Sequence, residues 1–353
     1  MRPGLSIALS AGALAIGGAA RADVVLNFFG DINYVVEHEV TTSNTFQAAE
    51  LDIFASQTEG KFSFIGEVIV EALGENEFSS DIDRLEVSYR ATPWLRVRAG
   101  RIRSALGYYG DAYQNGKYFM TPVSWPEIYE GAGFDGILPS HSIGVHADVA
   151  YGLGGDTGKL TLDAEVLNGR GNGLDDVPVW QDGNNSKAVN LRLRYVGDGT
   201  LAGLTVGGNL YLDDIPAPTA EGDSTAELAH PAMHELLLAG HAAYITDRIH
   251  AVAELAWFRH RPHGSEMTSR TVAWFAELGY SFGEITPYAR FEHTHFVEED
   301  SYFVASGIPS DDVELASAGV KYSASASVAV KVEGAADIRD SHRHLLAQAA
   351  FAF

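Results

Sequence analysis

The 353-residue chain contains no cysteine. That excludes a disulfide scaffold, a Cys-based zinc module and thiol catalysis. Positive charge is scarce: 24 Lys and Arg stand against 47 Asp and Glu, for a formal charge of −23. A nucleic-acid binder needs a basic surface, so that class is excluded. Beyond the N-terminus there is no apolar run of about 20 residues, hence no membrane-spanning helix. Gly152-Leu153-Gly154-Gly155 lacks the Lys-Ser/Thr of a phosphate cradle, and no Gly-x-Ser-x-Gly elbow occurs. The Glu298-Glu299-Asp300 run lacks the spacing of an EF-hand. What remains is a chain of 37 glycines, 46% apolar and 10% aromatic residues. It is too apolar to be disordered.

The first residues read as an export signal. Arg2 gives a short positive region, and Leu5 to Ala19 is apolar and uncharged. Ala20-Arg21-Ala22 fits the small-x-small cleavage rule. Residues 1–22 are therefore expected to be a signal peptide, and 23–353 one domain.

The rest of the chain alternates with period two. In Arg84–Ala91, Leu85, Val87, Tyr89 and Ala91 share one face, and Arg84, Glu86, Ser88 and Arg90 the other. Lys159–Val166 and Val189–Tyr195 repeat the pattern, as do Val328, Val330 and Val332 against Lys331 and Glu333. About sixteen such segments are centred near Gly30, Leu51, Gly66, Val87, Val97, Val145, Ala164, Leu191, Gly208, Leu238, Ala253, Ala276, Ala289, Ala318, Val330 and Ala349. A sandwich would also alternate. Here the polar face mixes small residues, amides and both signs of charge, as a wetted lumen does.

The connections alternate short and long. Short ones fall at Ser56–Lys61, Thr92–Pro93, Gly152–Gly158, Gly197–Ala202, Thr246–Asp247, Gly283–Glu284 and Ser323–Ser325. Long ones fall at Glu37–Thr45, Leu73–Asp81, Arg103–His141, Gly169–Ser186, Asp214–Ala232, His260–Ser269, Val297–Asp312 and Asp337–Arg343. Tight periplasmic turns and longer outer loops produce this segregation in a transmembrane barrel, and a soluble sandwich has no reason for it. The expected fold is all-β: a transmembrane antiparallel barrel of about sixteen strands, wide enough for an aqueous channel. Trp94, Tyr151, Tyr195, Tyr244, Tyr280 and Phe282 lie near strand ends, where an interfacial girdle belongs. Leu345, Ala347, Ala349, Phe351 and Phe353 put apolar bulk on one face at the chain's end.

Arg103–His141 is the longest connection, and a loop of such length in a compact fold is usually functional. Tyr108, Tyr109, Tyr113, Tyr118, Phe119, Trp125, Tyr129 and Phe134 make it too aromatic for a solvated tip. It is expected to fold inward as the third outer loop and narrow the pore. Beside it lies a basic run: Arg84, Arg96, Arg98, Arg101 and Arg103 form the expected basic side of a constriction. Asp111, Glu127, Glu130 and Asp135 of the loop form the acidic side. Facing charges of opposite sign would create a transverse field. The alternative is that the arginines pair with wall carboxylates such as Glu86.

The order AGRIRSALGYYGDAY, then FDGILPSHSIGV, resembles the strand-to-third-loop region of bacterial general and substrate-selective porins. The resemblance implies that Arg101 stands on the basic wall and that Asp135, just before Leu138-Pro139, lies on the acidic side. General porins commonly follow that proline with Glu; this chain has Ser140. The terminal Phe351 and Phe353 resemble the aromatic end signature of outer-membrane proteins, which implies an assembly signal read by the barrel-assembly machinery.

Of the 13 histidines, His146, His241 and His250 fall on lumen positions by alternation, where they would add pH-sensitive charge. His260 with His263, and His293 with His295, could each begin a metal site. Solvated loop histidines are the commoner case, and no metal or cofactor is expected. The acidic outer loops (Glu221, Asp223, Glu227; Glu298, Glu299, Asp300; Asp311, Asp312) either bridge lipopolysaccharide through divalent cations or attract cations to the mouth.

The resemblance and the alternation together imply a porin: a passive outer-membrane channel for small hydrophilic solutes or ions, and not an enzyme. Its surroundings would be outer-membrane lipid and lipopolysaccharide. A homotrimer and a monomer both fit an apolar outer face. The rivals are an outer-membrane barrel enzyme of lipase or protease type and a secreted soluble β-protein.

Overall fold

The computed structural model describes residues 24–38, 42–72, 77–113, 117–131, 134–171, 183–218, 230–308, 311–339 and 343–353. The expected signal peptide lies outside them, as do Glu221, Asp223 and Glu227. Sixteen antiparallel strands close into one barrel. They are β1 Val25–His38, β2 Thr42–Glu59, β3 Phe62–Ala72, β4 Phe78–Thr92, β5 Leu95–Arg103, β6 His141–Gly152, β7 Lys159–Leu167 and β8 Ala188–Val196. The second half comprises β9 Leu204–Ile215, β10 Met233–Ile245, β11 Ile249–Pro262, β12 Ser269–Tyr280, β13 Ile285–Phe296, β14 Val313–Ser323, β15 Val328–Asp337 and β16 Arg343–Ala352. Each of the sixteen expected centres falls inside one of these strands.

Every strand pairs with its chain neighbours, and β16 returns to β1. Phe28 and Phe353 exchange backbone hydrogen bonds of 2.7 and 2.8 Å across that seam. Closure leaves no sheet edge, which is the condition for a sheet to stand in lipid. The alternation takes the expected sense. Leu85, Val87, Leu162, Val166, Leu191, Leu193, Val330 and Val332 are exposed on the outside. Arg84, Glu86, Asp163, Glu165, Asn190, Arg192, Lys331 and Glu333 are buried toward the lumen. His146, His241 and His250 are buried with them. Trp94, Tyr151, Tyr244, Tyr280 and Phe282 are exposed at the short-turn end.

One connection departs from the expected pattern. The first outer loop, read as Glu37–Thr45, is strand at both of its ends: β1 runs to His38, β2 starts at Thr42, and these two residues pair, with 39–41 outside the described residues. Polar residues there read as a loop. A strand that rises above the lipid is wetted on both faces and needs no apolar one.

A barrel has no sandwich core. The buried apolar cluster here lies in the lumen, where Leu106, Tyr109, Tyr113, Met120, Ile128 and Tyr129 meet inner-wall Tyr211, Leu237, Val252, Phe258 and Phe275. Residues 104–140 between β5 and β6 supply the first set, so the long connection fills the barrel it belongs to. It contains a helical turn, Tyr109–Ala112, and a short ribbon pairing Glu130–Gly131 with Phe134–Asp135. A second connection also enters. In 297–312 a helical turn, Ser301–Ala305, buries Tyr302 and Phe303 against His260 and Phe258. Asp300, expected in a solvated acidic loop, is fully buried and caps that turn through the Tyr302 and Phe303 N–H groups.

The candidate constriction

The inward loop is held by charges reading its backbone. A segment without regular structure carries N–H and C=O groups that need partners once buried. Wall carboxylates take the donors. Glu165 accepts from Ala105 N–H at 3.0 Å with both oxygens. Glu254 accepts from Tyr108 N–H at 3.0 Å, Tyr109 N–H at 2.6 Å and the Tyr129 hydroxyl at 2.9 Å. Glu333 takes Val123 N–H, Ser124 N–H and the Ser124 hydroxyl. Glu292 takes Glu127 N–H at 2.6 Å. Wall cations take the acceptors. Arg290 donates to the Ser124 and Trp125 carbonyls, Lys331 to those of Lys117 and Pro122, and Lys321 to those of Tyr118 and Met120.

Gly107 shows how close the approach is. Its φ is +66°, and a Cβ there would sit 2.0 Å from the Tyr129 hydroxyl and 2.2 Å from Glu254 Oε2. Only glycine meets both conditions. Burial pushes the Tyr109 and Tyr129 hydroxyls well above their usual range, so both remain neutral and Tyr129 keeps its proton to donate to Glu254.

Docked on the inner faces of β7 to β15, the loop leaves space on the β2–β5 side. A cavity of about 240 Å³ remains there. Its wall side carries Glu50, Glu71, Asp81, Asp83, Arg101 and Arg103; its loop side carries Gly110, Lys117, Trp125 and Tyr129. Ile69, Ser79, Ser140 and His141 complete the lining. A second cavity of about 260 Å³ adjoins it, sharing Lys117 and Trp125 and reaching Glu127.

The sequence-predicted residues sort differently from the expectation. All five arginines of the expected basic side pair with wall groups and none with a loop acid in the described contacts. Arg84 pairs with Glu67. Arg96 reaches Asp148 at 2.8 Å, and Arg98 contacts His146 at 2.7 Å and Glu86 at 3.6 Å. Arg101 pairs with Asp81 at 2.7 Å, and Arg103 grips Asp83 through two nitrogens at 2.9 and 3.0 Å. Only Arg101 and Arg103 of the five line the cavity. On the acidic side, Asp111 does not face them: it reaches Arg192 and Arg194 on β8, each at 2.9 Å. Burial opposes its ionisation, but the two guanidinium groups outweigh this and hold its carboxyl below the usual range. Glu127 lines the second cavity. The side chains of Glu130 and Asp135 lie outside the described residues.

Sequence reasoning missed Glu165, Glu254, Glu292 and Glu333, the anchors of the loop. Each is a single acid on the polar face of an alternating strand, and nothing local marks it. Arg170 was missed too. It is buried, held by Glu235 at 2.9 Å and donating to the Ile137 carbonyl at 2.5 Å, where the loop leaves the lumen.

No family model matches the chain, and no curated protein matches it. Solved structures do. OmpT, an outer-membrane protein of Vibrio cholerae, is 11% identical, with 96% of this chain and 100% of that one covered and a TM-score of 0.61. The outer-membrane channel DcaP of Acinetobacter baumannii is 12% identical, covering 96% and 99%, at 0.61. An anion-selective porin from Comamonas acidovorans is 10% identical, covering 94% and 100%, also at 0.61. Identities of this size speak for architecture alone, and architecture they establish: this chain has the sixteen-stranded antiparallel barrel fold of bacterial outer-membrane porins.

Proposed function

We propose that the protein is an outer-membrane porin: a water-filled channel through which small hydrophilic solutes or ions diffuse passively. The observation that carries this reading is the loop 104–140 docked inside a closed barrel, with a charged, open cavity left beside it. Such a lumen excludes by size and biases by charge. The expected constriction residues enter the proposal with unequal weight. Arg101, Arg103 and the acids Glu50, Glu71, Asp81 and Asp83 stand at the passage, whereas Arg84, Arg96 and Arg98 act from the wall behind it. Asp111, Glu127, Glu130 and Asp135 set the field on the loop side.

Cleavage after residue 22, a single domain over 23–353, and assembly through Phe351 and Phe353 belong to the same proposal. So do surroundings of lipid and lipopolysaccharide. A homotrimer is supported by one similar structure, the trimer form of in-vitro folded OmpT, 12% identical with a TM-score of 0.58. Liposome swelling with sugars of graded size tests the channel. Size-dependent influx is expected; impermeable vesicles holding folded barrel would overturn it.

A second reading rests on one constellation. Ser140 Oγ lies 3.2 Å from His141 Nδ1, and His141 Nε2 lies 2.8 Å from Asp83 Oδ1. These are the residue types of a hydrolase triad, with the ring turned: a triad has Ser on Nε2 and Asp on Nδ1. The channel reading is preferred because Arg103 occupies Asp83 from the other side, and because a hydrogen bond between adjacent residues is ordinary loop chemistry. Labelling by a fluorophosphonate, lost in S140A, would establish the hydrolase instead.

A further inference from the structure

The outer rim carries a histidine and carboxylate cluster that the channel reading does not use. Asp214 stands near the end of β9, His234 near the start of β10, and His263 just past β11. Register pairs Asp214 with His234, which puts them on the same face of the sheet. The neighbouring Asp213 and Glu235 point the other way and are buried. His263 Nε2 lies 2.6 Å from Asp214 Oδ1, and His234 Nδ1 lies 3.7 Å from the same oxygen. The two imidazole rings are 4.4 Å apart, and one ligand atom from each of the three residues falls within 4.8 Å of the others.

We infer that Asp214, His234 and His263 form a binding site for a divalent transition-metal ion, with zinc the best match. Two imidazoles and a carboxylate are a borderline donor set, suited to Zn²⁺ and poor for Mg²⁺ or Ca²⁺, which want oxygen. Three protein ligands, two on successive strands and one in the turn after the next strand, would leave a coordination position open to water. The carboxylate is already oriented: Ser186 donates to Asp214 Oδ2 at 3.1 Å, leaving Oδ1 toward the histidines. The backbone holds the third ligand, since His263 N–H donates to the Ala232 carbonyl at 2.8 Å. Support of this kind fixes ligand orientation.

The other histidine sets differ. His260, three residues before His263, is buried between Asp300 at 2.8 Å and Glu235 at 3.3 Å, so the expected His260–His263 pair is split. His293 and His295 stack at 6.1 Å, but Arg339 occupies their acids, reaching Asp312 at 2.9 Å and Glu314 at 3.4 Å. Among the described residues no arginine pairs with Asp214 as Arg339 does with Asp312 and Glu314. Arg261, in register with His234, adds positive charge nearby. It lowers affinity for a metal without closing the site.

The test is zinc titration of the folded, full-length barrel in detergent by calorimetry. One Zn²⁺ per chain is expected, absent in H234A/H263A and retained in H293A/H295A. R261S is expected to tighten binding several-fold, a change that a generic histidine surface would not show. Near-identical heat-modifiable mobility of the variants confirms that the barrels are folded. Absence of zinc binding in the natural chain, or unchanged stoichiometry in H234A/H263A, overturns the assignment.

Discussion

Two halves of the inner wall carry the same residue types and use them differently. On β7 to β15, Glu165, Glu254, Glu292 and Glu333, with Arg290 and Lys331, are spent on the backbone of the inward loop. On β3 to β5, Arg84, Arg101 and Arg103 pair with Glu67, Asp81 and Asp83 of adjacent strands, and the Asp81–Arg101 and Asp83–Arg103 pairs face open space. The first half is architecture built from charge. The second leaves its charge facing open space. A lumen-facing charge therefore does not identify a pore residue; what covers it does.

Removing the cover should produce the largest effect. Deleting Asp111 to Gly133 takes away most of the aromatic filling, Tyr113, Trp125 and Tyr129 among it, while leaving all sixteen strands. Single-channel conductance in planar bilayers should rise several-fold. An unchanged conductance would mean that the loop does not narrow the passage, and the distinction between the two halves would fall with it.

A gentler break leaves the loop in place and removes its anchors. In E254Q/E333Q, the Tyr108, Tyr109, Val123 and Ser124 N–H groups lose their carboxyl acceptors to amides that carry only one accepting oxygen. A buried donor left unsatisfied costs about 1–3 kcal/mol, so the loop should loosen while the barrel stays folded. Larger and noisier conductance is expected, with unchanged heat-modifiable mobility. Substituting Glu71 and Asp81 with their amides, on the uncovered half, should leave the noise level alone.

Charge selectivity sharpens the comparison further. Arg101 lines the cavity, whereas Arg96 sits against Asp148 away from it. R101S should move the reversal potential toward cations by more than R96S does. The amides at Glu71 and Asp81 should move it toward anions. Four carboxylates against Arg101, Arg103 and Lys117 favour cations at about 10 mM salt, and screening should weaken the preference at about 1 M. Equal shifts for R101S and R96S would erase the difference between lining and backing residues.

How much of this was legible in the sequence follows from the same contrast. Alternation is local, so the sixteen strands and the lipid-facing sense of Leu85, Val87, Leu191 and Val330 could be read directly. The aromatic density of 104–140 announced an inward loop for the same reason. The arginine run was visible because its members crowd two adjacent strands. Its partners were not: Arg101 finds Asp81 and Arg96 finds Asp148 only once register is set. Glu254 touches residues about 145 positions away, a distance no spacing rule reaches. Asp111 went to Arg192 and Arg194 rather than Arg101 because the loop crosses to the far wall, and composition carries no direction.

Asp111 supplies the smallest and most specific test. It bridges the two halves: it belongs to the loop, yet its carboxylate grips wall arginines as an anchor does, with the direction of donation reversed. Its carboxyl sits below the usual range because Arg192 and Arg194 more than offset the cost of burial. A depressed carboxyl stabilises the folded state above its unfolded pKa of about 3.9 and loses that contribution as pH falls through the lower folded value. The difference in urea midpoint between the natural chain and D111N, refolded in lipid vesicles, should therefore stay constant from pH 7 to about pH 5. Below about pH 4 it should shrink toward zero. The pair is partly open to water, so a difference of about 1 kcal/mol is expected rather than the full value of a buried ion pair. Other carboxylates titrate in both proteins and cancel in the subtraction. A difference that instead shrinks between pH 7 and pH 5 would place this carboxyl above the usual range, which the two arginines forbid. Asp111 would then not be docked on β8, and the loop would have to face the opposite wall.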